Sequence, residues 1–479
     1  MASATRPRTL TEGPIARTLL WFALPTLGAN VLQSMNASVN AMWIGHYLGE
    51  AALTATSNAN LILFFLLGAV FGIGMAATIL VGQAVGAKDP TQARRVVGTA
   101  AGFFIGMSLL LAAFGIVFTP HILAWMQTPA DAVPYAQAYL RVIFLALPPM
   151  YFYSFLMMTL RGAGDAKTPF LFMLLSVGLD IALNPVLMFG LGPFPRMGIA
   201  GSAASTLLAQ SIALASLLVH LYRRRHPLAI HRHEFGYFMP DKAILRALVA
   251  KGLPMGLQMV VISTSAIVMI GLVNGYGSRT TAAYGAAAQL WTYIQMPALA
   301  IGAAVSSMAA QNVGAGLWPR VSRIARTGVL FNFGMTGALV AVVYLFNRGA
   351  LGLFLPMDAA AIAIAVHMNA IVVWSFLFFG VTFVLFGVVR STGAVLPPLV
   401  ILFVSLWLVR LPFAWGLHGR WGVDAIWWSF PLGSIISLLL AALYYRYGHW
   451  RQARMLQPAA TQQAPGTGQG VPATAIEAD

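Results

Sequence analysis

The sequence has no cysteine, so it can build neither a disulfide framework nor a thiolate metal site. Charge is almost as scarce: Asp, Glu, Lys and Arg together make up 8% of 479 residues, and only 12 residues are acidic. There is no HExxH, no phosphate-binding GKS or GKT loop and no nucleophile elbow. Those absences remove the machinery of metallohydrolases, ATPases and serine hydrolases, and the chain reads as a non-enzyme that uses no cofactor and no resident metal.

Apolar residues take the place of all these. They form 59% of the chain, with a mean hydropathy of +0.79, a surplus that a soluble fold cannot hide. No charged residue lies between Glu50 and Lys88, Arg95 and Asp131, Lys251 and Arg279, or Arg279 and Arg320. Each gap exceeds the roughly 20 residues that cross a bilayer. The 46 glycines and 26 prolines suit lipid-embedded helices, whose neighbours satisfy freed backbone groups. The expectation is an all-α integral membrane protein of about twelve transmembrane helices. Residues 1–14 form a polar tail without a cleavable signal pattern, so the first apolar segment is expected to be retained. Six helices are expected over 15–222, a linker over 223–243, six more helices over 244–447 and a tail over 448–479. From Pro458 onward the tail is polar and Gly/Pro-rich, a composition that favours disorder.

The net charge of +16 is not spread as a nucleic-acid surface would be. Segments at the termini and after even-numbered helices hold Arg6, Arg8, Lys88, Arg94, Arg95, Arg161, Lys167, Arg320, Arg323, Arg326, Arg390, Arg446, Arg451 and Arg454. The opposite side holds Arg196, Arg279, Arg348 and Arg420. By the positive-inside rule both termini are cytoplasmic, in the inner membrane of a bacterium. The most basic stretch, RRRHPLAIHRH within 223–242, is expected to lie against anionic head groups.

The chain also repeats itself. LRGAGDAKTP at Leu160 to Pro169 returns as VRSTGAVLPP at Val389 to Pro398, GQAVGA at Gly82 to Ala87 returns as AQNVGA at Ala310 to Ala315, and Leu24-Pro25 returns as Leu253-Pro254. An even number of helices per repeat makes the halves parallel, related by an axis along the membrane normal. Transporters of that construction place substrate between the halves.

These motifs, with LPTLGANVLQSMNASVNAMWIGHYLGEAAL in the first helix, LNPVLMFG in the fifth and RLPFAWGL in the eleventh, resemble the multidrug and toxic compound extrusion family over about Thr11 to Tyr445. The scarcity of acid in the second half resembles its DinF-like branch. The resemblance implies two six-helix lobes forming a V around a central cavity, and export of organic cations or other amphipathic drugs in exchange for protons or sodium ions. It further implies a carboxylate in the first helix and an Asn-x-x-x-Asp-Pro arrangement in the fifth. This chain departs from both: the first-helix position is Asn40, and the fifth-helix pair is reversed as Asp180 and Asn184.

An antiporter needs an intramembrane group that ion and substrate can both occupy. Asp180 is the one acid near mid-membrane. Asn184 shares its helical face at i+4, and Asn36, Asn40 and Thr206 are candidate neutral partners. The expected ion-coupling set is therefore Asp180, Asn184, Asn40, Asn36 and Thr206. The expected substrate-binding set is Asp180, Met35, Tyr151, Met259, Trp291 and Arg410, offering a charge, soft thioethers and ring faces to flat cations. Arg410 lies within one residue of the repeat counterpart of Asp180. Arg141 reads as structural, and His367 as a satisfied buried histidine. The partners are then small amphipathic or cationic molecules, a coupling proton with sodium as the alternative, and the lipid bilayer, with the chain working as a monomer. A flippase of a lipid-linked precursor is the runner-up, disfavoured because it should present several cations to phosphate. A topology reporter fused after Tyr447 is expected to read cytoplasmic and one inserted near Asp358 external; a C-terminal reporter that reads periplasmic overturns this arrangement.

Overall fold

The computed structural model describes residues 10–352, 354 and 359–456. Asp358 and the tail from Pro458 lie outside the described residues, as do the first nine positions. Twelve long helices account for most of the chain. They are α1 (Ile15–Leu48), α2 (Glu50–Gly86), α3 (Pro90–Trp125), α4 (Val133–Gly162), α5 (Lys167–Phe189) and α6 (Ile199–Arg223) in the first lobe. The second lobe holds α7 (Lys242–Asn274), α8 (Ser278–Gly314), α9 (Trp318–Leu345), α10 (Ala360–Arg390), α11 (Leu396–Trp421) and α12 (Asp424–Tyr447). Eleven of them are long and apolar enough to cross a membrane; in α2 the described apolar part is Val70–Gly86 of a 37-residue helix.

Helix boundaries follow local chemistry. Asp89 caps α3 by accepting from the backbone N–H of Gln92 at 2.8 Å, with Pro90 at the first helical position. Asp241 caps α7 in the same way, accepting from Ala243 and Ile244. The turns that end α4 and α10 are repeat mates, and each contains a glycine with a left-handed backbone, Gly164 at φ 94° and Gly393 at φ 104°. Two interruptions were not foreseen. A 3-10 turn at Val373–Ser375 breaks α10, and a π-helical segment, Val404–Arg410, sits inside α11.

Part of the linker docks on the first lobe. A 3-10 helix, Arg232–Phe238, docks on the first turns of α3, where Arg94 pairs with Glu234 at 2.8 Å. A Cβ on Gly102 would lie 2.2 Å from the Phe238 carbonyl oxygen, so only glycine admits this approach. Burial alone would push the Glu234 carboxyl up, but bonds from the His231 backbone and ring and from Arg94 hold it below the usual glutamate range.

The lobes come to backbone contact in mid-bundle, where Gly72 of α2 lies against Gly252 and Gly256 of α7, and again at the end of the bundle that holds Leu10 and Met455. There the ends of α2 and α8 cross through repeat-related small residues four apart, Gly82 and Gly86 against Ala310 and Gly314. An added Cβ would fall 1.8 Å from the Gln311 carbonyl oxygen at Gly86 and 2.0 Å from that of Gln83 at Gly314. Such small-xxx-small crossings let membrane helices pack backbone to backbone. Each motif also carries a glutamine that reaches into the other lobe. Gln83 Nε2 donates to the Ser391 carbonyl at 2.7 Å, and Gln311 Nε2 donates to the Gly162 carbonyl at 2.9 Å. Gln311 Oε1 also accepts from the backbone N–H of Leu10. Removing one such donor leaves a buried carbonyl unpaired, at a cost of about 1–3 kcal/mol. Gln83→Leu or Gln311→Leu is therefore expected to loosen this end of the bundle. Spin labels on cysteines introduced at Val85 and Val313 should report longer distances, and unchanged distance distributions in both variants would refute the latch.

Candidate functional site

Three first-lobe helices converge on Asp180. Asp165 caps the start of α5 through Lys167 and Thr168, and Pro185, which has no N–H, leaves the Ile181 carbonyl without its helical donor. The close approach of α6 to α5 is set by Gly201, where a Cβ would lie 2.6 Å from the Leu187 backbone. That contact brings a face of small hydroxyls up to the carboxylate. On α1, Asn36 and Asn40 are four residues apart and present both amides to the same point.

The resulting network is dense. Asp180, only 3% exposed, accepts at Oδ2 from Asn36 Nδ2 at 2.8 Å and Asn40 Nδ2 at 3.1 Å. Its Oδ1 accepts from Ser205 Oγ at 2.6 Å and Thr206 Oγ1 at 3.2 Å. Asn184 Nδ2 donates to Asn40 Oδ1 at 2.8 Å and to Ser202 Oγ at 3.1 Å. Every donor to the carboxylate is neutral, and none of the ion pairs among the described residues involves Asp180. Two buried oxygens, Asn36 Oδ1 and Asn184 Oδ1, have no hydrogen-bond partner.

All five residues of the expected ion-coupling set thus lie in one hydrogen-bonded cluster. Ser202 and Ser205 join it and were missed, because serine in an apolar helix reads as close-packing material. The expected substrate-binding residues are not gathered in the same way. Met35 is exposed on α1 and Met259 half-buried on α7. Tyr151 is sealed inside the first lobe, its hydroxyl donating to the Leu66 carbonyl at 3.0 Å. Trp291 is equally buried in the second lobe, donating from Nε1 to Asn369 Oδ1 at 2.8 Å within an aromatic group that includes Tyr284, Phe376 and Phe430. Both aromatics have their polar atoms occupied by their own lobe. Arg410 lies over the Phe430 ring at 3.5 Å. His367 is not a buried histidine: its ring is 57% exposed and contacts Asp424 Oδ1 at 2.9 Å, because its stretch of α10 faces outward beside the start of α12. Arg141 is exposed.

Two parallel six-helix repeats of membrane-spanning length, with one buried carboxylate ringed by neutral donors, have the construction of a membrane transporter. The MatE family model matches the chain twice, over residues 25–186 and 254–415, an offset of 229 residues (254 − 25) that coincides with the repeat. The chain belongs to the MatE family of multidrug and toxic compound extrusion transporters. Among its relatives, the probable multidrug resistance protein YoeA of Bacillus subtilis (strain 168) is 37% identical over 433 residues, covering 90% of this chain and 93% of that protein. The probable multidrug resistance protein YpnP of the same strain is 32% identical over 447 residues, 93% and 98% of the two chains. A solved structure of a mutant of the Vibrio cholerae MATE transporter VcmN shares the fold, with a TM-score of 0.84 at 20% identity over 90% of this chain and 96% of that one.

The Asn40 side chain touches both acidic and amide members of the network, whereas the Ser202 hydroxyl engages Asn184 and not Asp180. Asn40→Ala is therefore expected to slow drug efflux roughly tenfold or more, the scale of one lost hydrogen bond to a charged group, and Ser202→Ala far less. Efflux from cells matched for membrane expression ranks the two; equal losses would show that the cluster does not act through Asp180.

Proposed function

We propose that this protein is a secondary active antiporter that exports organic cations and other amphipathic compounds across the cytoplasmic membrane in exchange for protons. It would work as a monomer in the inner membrane of a bacterium, with both termini cytoplasmic. The observation that carries this reading is a mid-membrane carboxylate, Asp180, buried with neutral donors and, among the described residues, no ion-pair partner. Such a group is expensive in lipid and earns its place by binding something positive.

Its neighbours suit two protonation states. When ionised, Asp180 uses all its acceptor capacity on amide and hydroxyl donors. Protonation turns one oxygen into a donor, and the partnerless Asn36 Oδ1 is the acceptor at hand, since a half-turn of that amide exchanges Nδ2 for Oδ1. A proton or an organic cation then competes for one charge. Because Asn36 and Asn40 belong to α1 while Asp180 belongs to α5, the same exchange alters how α1 is held against the lobe, which is how occupancy would bias one conformation over another. Each pH unit supplies about 1.4 kcal/mol per proton, and each 100 mV about 2.3 kcal/mol per charge moved.

Sodium exchange is the second reading. It is favoured by the two partnerless oxygens, Asn36 Oδ1 and Asn184 Oδ1, which with Asp180 and Thr206 supply hard ligands of the kind alkali and alkaline-earth cations take. Asp180→Asn keeps the shape of the site and removes its charge. In reconstituted vesicles under separate pH and sodium gradients, the variant should insert normally and lose gradient-driven dye transport. Wild-type transport that requires sodium and ignores a pH gradient selects the second reading, and full activity of Asp180→Asn defeats both.

A further inference from the structure

Between residues 242 and 447 the sequence contains two acidic residues, Asp358 and Asp424. Asp424 is engaged by His367 at the far end of the lobe, and Asp358 lies outside the described residues. Yet Arg410 sits in the middle of α11, fourteen residues after Leu396 and eleven before Trp421. A guanidinium at that depth remains charged and needs a counter-charge or a set of acceptors. The structure provides neither. Arg410 Nε is buried without a hydrogen-bond partner, and no described carboxylate forms an ion pair with it. The Phe430 ring lies 3.5 Å from the guanidinium carbon and covers one face, and among the described residues no hydrogen bond engages the edge donors.

The backbone is arranged around this side chain. The π-helical segment Val404–Arg410 ends on it, a rare widening of the helical turn that recurs at functional sites. On α12, Gly433 leaves room for its stem: a Cβ there would stand 3.4 Å from Arg410 Cβ and 3.5 Å from Cδ. One turn before Phe430, Trp427 is fully buried and stacked on Tyr284, and its Nε1 also lacks a partner. Among the described residues, the centre of the second lobe therefore offers donors and ring faces with no carboxylate to receive them. Arg410 is also displaced by 230 residues from Asp180, one more than the offset between the two family matches (254 − 25 = 229), so the repeats carry opposite charges at corresponding depth.

We propose that Arg410 is a specificity-determining anion subsite in the second lobe, which takes the carboxylate of zwitterionic amphipathic substrates while their cationic end is drawn to the first lobe. A planar fork suits a carboxylate, which accepts two parallel N–H bonds. A lipid phosphate, with its larger charge, would call for more than one cation. The proposal rests on the export reading given above but is indifferent to which ion drives it.

Rhodamine 110 and rhodamine 123 form a matched pair of probes, because the second is the methyl ester of the first and lacks its carboxylate. In vesicles holding the full chain, Arg410→Gln is expected to raise KM for rhodamine 110 roughly tenfold, the loss of a charge-assisted bond, and to leave rhodamine 123 within about twofold. Arg410→Lys keeps the charge without the fork and should fall between. A similar change for both dyes, or no change for either, overturns the subsite, as does wild-type protein that moves the ester and not the acid. Asp180→Asn should impair both dyes, which separates the two lobes' contributions. Should wild type move neither dye, the export reading falls. Dye anisotropy on purified wild-type protein then tests the subsite alone, as it also does if the Arg410 variants fail to reach the membrane. Benzoate should displace rhodamine 110 and spare rhodamine 123, and failure to displace the acid overturns the proposal.

Discussion

The backbone contact between α2 and α8 is the constraint on which the rest of the architecture depends. Lipid offers helices no hydrophobic reward for associating, since a leucine is as well solvated by acyl chains as by another helix. What holds two lobes together in that solvent is dispersion at short range and hydrogen bonds that have no competitor. Gly86 and Gly314 supply the first by removing the side chains that would keep the helices apart. Gln83 and Gln311 supply the second, each closing a carbonyl at the end of a helix in the opposite lobe. Because the repeat makes the two glutamines equivalent, the seam is symmetric although the sequences of the lobes have diverged widely. All its bonds are neutral amide bonds. A seam of that kind is firm and still separable, whereas a buried ion pair would be costly to break and costly to keep.

The same economy governs the centre of the first lobe. Buried polar groups in a membrane must find partners inside the protein, and Asp180 finds four, drawn from α1 and α6. Two amide oxygens are left over beside it. A fully saturated cluster would be a structural knot with one stable arrangement. Under the proposed exchange, the leftover acceptors would give this one a second arrangement, available when the carboxylate gains a proton or a cation. The second lobe poses the inverse problem, with donors around Arg410 and no acid to receive them.

Much of this was legible in the sequence, and the parts that were not share a cause. Charge-free runs and the returning GQAVGA, LRGAGDAKTP and LP motifs disclosed the spans and the duplication, since lipid forces apolarity on every spanning residue and a parallel repeat forces a fixed offset. Asp180, Asn184, Asn36 and Asn40 stood out as polar groups spaced four apart in apolar helices. Ser202 and Ser205 did not, because a serine in a membrane helix is normally content to bond its own backbone, as Ser405 does with Ile401. Tyr151 and Trp291 were read as lining because aromatics suit flat cations, yet an indole or phenol needs only one acceptor to be buried, and each has found one. The exposure of His367 and the π-helical turn before Arg410 depend on how α10, α11 and α12 rotate against one another, which residue spacing does not encode.

The docking of the linker on α3 has a mechanical side. Asp241 is at once the cap of α7, the ion-pair partner of Arg95 at 2.9 Å, and the residue whose N–H reaches Thr99 Oγ1 at 3.4 Å. The first turn of a second-lobe helix is thereby fastened to a first-lobe helix, at the one place where the chain itself crosses between lobes. The α2–α8 seam with its two glutamines lies on the same side of the bundle, so the tie at Asp241 adds to it. Any rocking of one lobe against the other would then move this end least, and the helix ends across the membrane would be the long arm of the lever.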